Sequence, residues 1–392
     1  MAKRIYMDYA STTPLDPKVL KVMLPYFREK FGNPSSIHAE GVEAKKALEV
    51  ARKSVGLILN ARANEIIFTG GGTESNNLAI FGIVSALERT GVSISKMHFV
   101  TTVIEHSSIL ECFRELESRG AKVAYAPVRE NGIVDPTVIA KLLQPKTVLV
   151  SVGYANNEIG TIQPIREISK IIRARNFPTS KLPNFKTFFH SDASQAPLYL
   201  DCSVEKLGVD LLTLDGHKMY GPKGVGVLYM RRSVRLAPTL FGGGQERGLR
   251  STTENLPLIV GFAKALEIAA ASREKESARL KALRDFCHSN ILKNVGMTKA
   301  VINGDMKERL PNNINISIPK LDTEFALFQL DAAGIACSTK SSCLGSEGGS
   351  YVVRALGGGE TRAASTLRFT FGRATTKKDI SLLLKHLFRI IG

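Results

Sequence analysis

EIIFTGGGTESNNLAI, residues 65–80, changes character at its middle. Glu65–Gly70 is a short apolar run of strand type. Gly70, Gly71 and Gly72 then punctuate the chain, and residues 74–89 carry the spacing of a helix. A strand that passes through a glycine turn straight into a helix is the unit from which parallel sheets are built. The turn can be read in two ways. Unpaired amides and the positive end of a helix dipole suit a phosphate. Equally, the glycines make a tight turn and Thr73 caps the helix.

Working outward, the same unit recurs. HFVTTVIEH (98–106), KVAYAPV (122–128), TVLVSVGYA (147–155), FKTFFHSDAS (185–194), LLTLDG (211–216) and VGVLYM (225–230) read as further strands. Residues 107–119, 136–144 and 165–175 read as helices between them. An earlier helix is marked by Ala44, Ala47, Ala51, Val55 and Ile58 at spacings of three and four. The pattern predicts an α/β fold with a mostly parallel, seven-stranded sheet covered by helices. After residue 255 the composition shifts. Residues 257–294 read as one or two long helices, NNINISIP and TLRFTFG as short strands, and 377–391 as an amphipathic helix. The expected division is a large domain over 16–256 and a smaller α+β domain from 1–15 and 257–392. NFPTSKLPN (176–184) reads as a surface excursion.

The chain has 392 residues, enough for such an arrangement. No apolar run approaches the roughly 18 residues of a membrane span, and MAKRIYMDYA has no signal-peptide core, so a cytoplasmic protein is expected. Five scattered cysteines, with no CxxC pair and no His/Cys cluster, argue against a disulfide framework or a structural metal. The net charge of +17 could attract nucleic acid, but the basic residues form no dense run, so direct nucleic-acid binding is not the expected role.

Ligands of open parallel sheets bind at the carboxyl ends of strands. Five predicted strands place polar residues there: the Gly70–Asn77 turn, His106, Asn156 and Asn157, Asp192 and Gln195, and Asp215, His217 and Lys218. Neither GxxxxGK[ST] nor GxGxxG after a strand is present, which argues against a P-loop or nicotinamide site. An isolated lysine is normally a solvated charge. Lys218, next to His217 and close to a candidate phosphate turn, is better placed to form a Schiff base with a cofactor aldehyde. Asp192 could pair with the nitrogen of a pyridinium ring and make it an electron sink. Lys223, among glycines, reads as a turn residue, and Cys112, Cys202, Cys287 and Cys337 as core.

IYMDYASTTPLDP, FGNPSSIH, EIIFTGGGTESNNLAI, ANNEIG, HSDASQ, GHKMYGPKGVG, FGGGQERGLRSTTEN, the Cys343 loop, SYVVRALG and LRFTFGR occur in this order along nearly the whole chain. Together they resemble the pyridoxal-phosphate-dependent cysteine desulfurases, class V aminotransferases of fold-type I. The resemblance implies that Lys218 holds pyridoxal 5'-phosphate covalently. It implies that His106 stacks on the ring and moves protons. Asp192 would meet the pyridinium nitrogen and Gln195 the phenolic oxygen. Gly72, Thr73, Asp215 and His217 fall at the phosphate positions, and Thr253 at one that reaches the phosphate of a second subunit, hence a homodimer. Asn157 and Arg368 fall at substrate positions, Arg368 on the α-carboxylate of L-cysteine. Cys343 would take the substrate sulfur as a persulfide and pass it to an iron–sulfur scaffold or a tRNA-thiolation protein, leaving alanine. From the residues alone, Cys343 is an incidental thiol in a small, polar loop.

Three departures stand out. Asp215 occupies a position where a small hydroxyl residue is usual. A carboxylate there either repels the phosphate, with His217 or an arginine of a second subunit as compensation, or points away and leaves the phosphate one donor short. In both cases weaker cofactor retention is expected. Thr252 replaces a glycine. Lys340 lies in a changed stretch before Cys343, where it could lower the thiol pKa or meet an acidic acceptor. Two other functions compete with sulfur transfer: another pyridoxal-phosphate reaction, such as selenocysteine lysis or transamination, and a non-catalytic sulfur-partner or nucleic-acid-binding role.

Overall fold

The computed structural model describes residues 4–176, 185–295, 300–339 and 349–391. The excursion expected at 176–184 therefore lies, but for Asn176, outside the described residues, as do Lys340 and Cys343. Strands are numbered in chain order: β1 (Ile5–Tyr6), β2 (Ile66–Thr69), β3 (His98–Thr102), β4 (Lys122–Ala126), β5 (Thr147–Ser151), β6 (Phe188–Asp192), β7 (Leu211–Asp215), β8 (Gly226–Met230), β9 (Val301–Ile302), β10 (Asn313–Ser317), β11 (Ile335–Ala336) and β12 (Thr366–Thr370).

Seven of them form one sheet in the order β2-β8-β7-β6-β5-β3-β4. All pairings are parallel except those of β8, which runs antiparallel to both β2 and β7. Most of the strands are covered on both faces. Their side chains alternate: Ile66, Phe68, Val100, Val150, Leu212, Leu214 and Val227 join one core, while Ile67, Phe99, Leu149, Leu211 and Leu228 join another on the opposite face. Helices Gly72–Glu88 and Ser107–Ser118 close the second core through Leu78, Ile83, Ile109 and Phe113. Helices Ala39–Leu59, Ile165–Asn176 and Leu256–Val295 close the first through Leu48, Val55, Ile168, Phe262 and Leu266. The segment expected to hold one or two helices is a single helix of 40 residues.

The sequence pattern ran six of the seven large-sheet strands too long at their C-terminal ends; the seventh ends at Met230, as expected. β3 stops at Thr102, and His106 is the N-cap of the next helix, accepting from Ser108 N. β7 stops at Asp215, and Gly216–Lys218 is a 3₁₀ turn. The apolar tails of these segments are buried in the turns that follow the sheet edge, which is why composition could not find the boundary.

Beyond the large sheet, β12-β10-β9 is antiparallel and β1 pairs in parallel with β11. The first strand of the chain is thus joined to a part some 330 residues later, with Ile5 opposite Ile335 and Tyr6 opposite Ala336.

Candidate active site

The chain runs from β3 out to the edge strand β4, then returns to β5, β6 and β7 in the other direction. Loops on the two sides of that reversal part and leave a crevice at the strand ends. A cavity of about 200 Å³ opens there. It is lined by Gly72, Thr73 and Asn76 after β2, Glu105 and His106 after β3, Asn156 and Asn157 after β5, Asp192 and Gln195 after β6, and Asp215, His217 and Lys218 after β7, together with Ser11 and Arg368. Apart from Thr253 and Cys343, every site residue singled out in the sequence lines this cavity.

Two glycines make the turn possible. Gly71, at φ 149° and ψ −179°, is in a region open essentially to glycine alone. A Cβ on Gly226 would meet the Gly71 backbone at 2.6 Å, so the last glycine of GPKGVG lets β8 pass against the turn.

Asp192 is tightly held. Its Oδ1 accepts from Ser194 N at 2.9 Å and Ser194 Oγ at 2.6 Å, and its Oδ2 from Asn76 Nδ2 at 2.9 Å. One more hydrogen bond can still be accepted on the cavity side. Beneath it, His190 bonds Ser151 Oγ and Thr213 Oγ1, and burial pushes it down to about 4, so it adds no charge. Glu105 accepts from Thr102 Oγ1 at 2.6 Å and Gly153 N at 2.9 Å; its complete burial, with Asp192 close by, pushes it up to about 7.

Lys218 Nζ donates to the carbonyls of Ala10 at 2.8 Å and Ser11 at 2.7 Å. The Ala10 carbonyl also accepts from Gln195 Nε2 at 2.9 Å. Arg368, on β12, is 1% exposed; its Nη2 reaches Asp8 Oδ1 and Ser11 Oγ, both at 2.8 Å, and its Nη1 reaches the Asn157 carbonyl at 3.0 Å. His217 Nδ1 lies 3.0 Å from Thr12 Oγ1, and the His217 carbonyl accepts from Thr13 N. Residues 8–13 thus run along the cavity and touch four site residues directly: Lys218, Gln195, Arg368 and His217. Sequence reading quoted this stretch but gave its members no role. The signal was there: a run of small and polar side chains with two apolar residues among them, of which Tyr9, Ala10 and Thr13 are buried and the rest half-buried. Asn76 and Glu105 were missed as well; Asn76 lies one helical turn after Thr73, and Glu105 immediately precedes His106.

Asp215 spans the turn. Its Oδ2 accepts from Gly72 N at 2.9 Å, its Oδ1 lies 3.4 Å from His217 N, and His217 Nε2 is 3.4 Å from Oδ2. Burial alone would raise this carboxyl, but the His217 contact and the Gly72 amide more than offset it and leave it below the usual aspartate range. The sequence left open whether it faces the turn; it does.

Thr252 and Thr253 are exposed and border a separate small cavity with Thr69, Glu246 and Arg250. Cys112, Cys202, Cys287 and Cys337 are inert by environment, each thiol being pushed up to about 12, chiefly by burial. Among the described residues, no group of three or more His, Cys, Asp or Glu is placed to hold a metal ion, and no helix is long and apolar enough to cross a membrane.

A lysine amine, a constrained carboxylate, a buried arginine and a glycine turn opening a helix, all at one sheet edge, define a class of enzyme. The chain belongs to the class-V aminotransferase family, whose sequence profile matches residues 5–383. It is 42% identical to a cysteine desulfurase IscS of Dictyoglomus turgidum over 392 residues, covering 100% of this chain and 95% of that protein. It is also 42% identical to cysteine desulfurase IscS 1 of Archaeoglobus fulgidus, covering 98% of this chain and 96% of that one. A solved NifS-like protein superposes with a TM-score of 0.89 at 35% identity, covering 99% of both chains. A structure of SspA in complex with cysteine does so at 0.78 and 33%, covering 94% of this chain and 98% of that one.

The family implies pyridoxal 5'-phosphate, and the donor set suits it. An aldehyde calls for an amine, a pyridinium nitrogen for a carboxylate and a phosphate for amide donors. Lys218, Asp192 and the Gly72 turn present these groups at one cavity. The fit is incomplete in one place, because the Gly72 amide is already bonded to Asp215.

Proposed function

We propose that the protein is a pyridoxal-phosphate-dependent cysteine desulfurase that converts L-cysteine to L-alanine and moves the sulfur to Cys343. The observation that carries this reading is the convergence of Lys218, Asp192 and Arg368 on one cavity. Bound there, pyridoxal phosphate supplies an electron sink next to the substrate Cα. Lys218 holds the cofactor and, once substrate has displaced it, takes the Cα proton. Asp192, fixed by Ser194 and Asn76, keeps the ring nitrogen protonated. Gln195 bonds the ring oxygen and His106 packs on the ring and shuttles protons. Gly72, Thr73, His217 and, from a second subunit, Thr253 form the phosphate end.

Arg368 and Asn157 receive the substrate carboxylate. The Arg368 side chain is already oriented by Asp8 and Ser11, so little ordering is left to be done on binding. The Cys343 thiolate then attacks the substrate sulfur: an S–S bond forms, the C–S bond breaks with its electrons retained on the alanine fragment, and a proton completes alanine. The persulfide passes to an acceptor protein of iron–sulfur assembly or tRNA thiolation.

We place the large domain at 16–256 and the small one at 1–15 and 257–392, with catalysis between them. The working unit is a homodimer in the cytoplasm. Leu24, Phe27, Phe31, Ile37 and Val42 are exposed apolar side chains near the chain start, and a second copy would cover them.

The deciding experiment follows the absorption of purified protein before and after L-cysteine, with alanine measured as product. A band near about 400 nm that shifts with cysteine and is missing in Lys218→Ala supports the cofactor role. Alanine formation that persists undiminished in Cys343→Ala would sink the sulfur-transfer reading and favour another reaction on the same cofactor.

A further inference from the structure

Helix Gly72–Glu88 has 17 residues and no side-chain cap from its own Gly71. Its first amide donates instead to Asp215 Oδ2, 143 residues further along the chain. The carboxylate is 9% exposed, is held below its usual range by His217 and the Gly72 amide against the cost of burial, and so is charged at neutral pH. A negative charge on the positive end of a helix is a favourable arrangement. The other acid at this turn, Glu74, is already neutralised: it accepts from Gly70 N at 2.7 Å and pairs with Arg250 at 2.8 Å. Asp215 lies 3.4 Å from the imidazole of His217 and also feels the charge of Lys218.

We infer that Asp215 is an internal anion that caps this helix from β7 and competes with the cofactor phosphate for the same amide. The inference rests on the proposed pyridoxal-phosphate reading. It makes one residue act in opposite directions. Asp215 stabilises the chain without cofactor, because it satisfies an amide that would otherwise be orphaned at a buried helix end. It weakens the grip on the phosphate, because two anions at one turn force the carboxylate to swing off Gly72 or take up a proton. Ser at this position would donate to the phosphate and leave the cap open without it.

The test compares wild type, Asp215→Ser and Asp215→Asn after the cofactor has been stripped. Each is titrated with pyridoxal phosphate and with pyridoxal, which lacks the phosphate, following the absorption of the protein-bound aldehyde. Thermal midpoints are measured on the same stripped proteins. In Asp215→Ser the dissociation constant for pyridoxal phosphate is expected to fall by about tenfold or more, the equivalent of one pKa unit of relieved repulsion. That for pyridoxal is expected to stay the same, and the stripped variant to melt below the stripped wild type. Asp215→Asn keeps an acceptor for Gly72 without the charge, so it should melt close to wild type and still bind the phosphate form more tightly. An unchanged ratio of the two affinities in both variants overturns the inference and leaves the cofactor reading intact. Failure of all three proteins to bind either aldehyde overturns the cofactor reading, and the inference with it.

Discussion

Arg52 and Glu246 are a buried ion pair whose removal has a calculable cost. Their side chains are 10% and 2% exposed, and the guanidinium meets the carboxylate through two bonds of 2.7 and 2.8 Å. Glu246 also accepts from Phe68 N at 3.0 Å, and Arg52 lies 5.0 Å from the centre of the Phe68 ring. Glu246 and Arg247 both adopt positive φ, 47° and 61°, so the pair pins a segment with an uncommon backbone. That segment leads to Thr253.

In Glu246→Ala the guanidinium stays buried with only the Ile66 carbonyl and the half-exposed Glu49 as partners, and the Phe68 amide is orphaned. Breaking such a pair from one side costs about 3–5 kcal/mol. For 392 residues the unfolding entropy is about 0.8 kcal/mol/K, from roughly 2.1 cal/mol/K per residue, so the melting point should drop by about 4–6 °C. Glu246→Gln keeps an acceptor but faces one donor with another, and should lose about 1.5–3 kcal/mol. Replacing both partners by apolar residues, Arg52→Met with Glu246→Leu, should recover most of the loss. Calorimetry with cofactor in constant excess keeps ligand linkage equal among the variants. A Glu246→Ala protein that melts with the wild type, or a double variant no more stable than the single, would refute the reasoning.

Two further outcomes are expected. Arg368→Lys removes the planar fork that Asp8 and Ser11 orient, so kcat/KM for cysteine should fall by about a hundredfold with most of the change in KM, seen in steady-state alanine formation. Burial raises Glu105 from 4.5 to about 7, so the folded chain binds more protons than the unfolded chain between those values and loses stability as pH rises through them. The loss is about 3 kcal/mol at most, and urea titrations of Glu105→Gln should be flatter than wild type from about pH 4.5 to 7.

The sheet was legible because β2, β5, β7 and β8, buried on both faces, read as largely apolar runs, while β3 and β6 carry more polar residues and the edge strand β4 is only partly buried. The site was legible for a related reason: Asp192, Asp215 and Lys218 interrupt such runs at their ends, where nothing in packing asks for a charge. What the pattern missed was long-range. Asp8 and Arg368 are 360 residues apart, and no local period links them. The bond from Asp215 to Gly72 spans 143 residues and depends on β7 and β2 flanking the same antiparallel β8. Composition could say that a carboxylate near this turn was unusual, but not what it bonds.

These long-range contacts place the site under one structural constraint. Ala10 and Ser11 give carbonyls to Lys218, Ser11 gives its hydroxyl to Arg368, and Thr12 and Thr13 fix His217. The segment that makes these contacts is itself held by β1 on β11 at one end and by Thr13 at Tyr220 N, 2.7 Å, at the other. It therefore ties the lysine, which comes from the large sheet, to the arginine, which comes from the small one. A change in the spacing of the two sheets must pass through residues 8–13. The two basic groups that the proposed reaction needs on either side of its substrate, one on the turn after β7 and the other on β12, are for that reason linked through one short stretch of backbone.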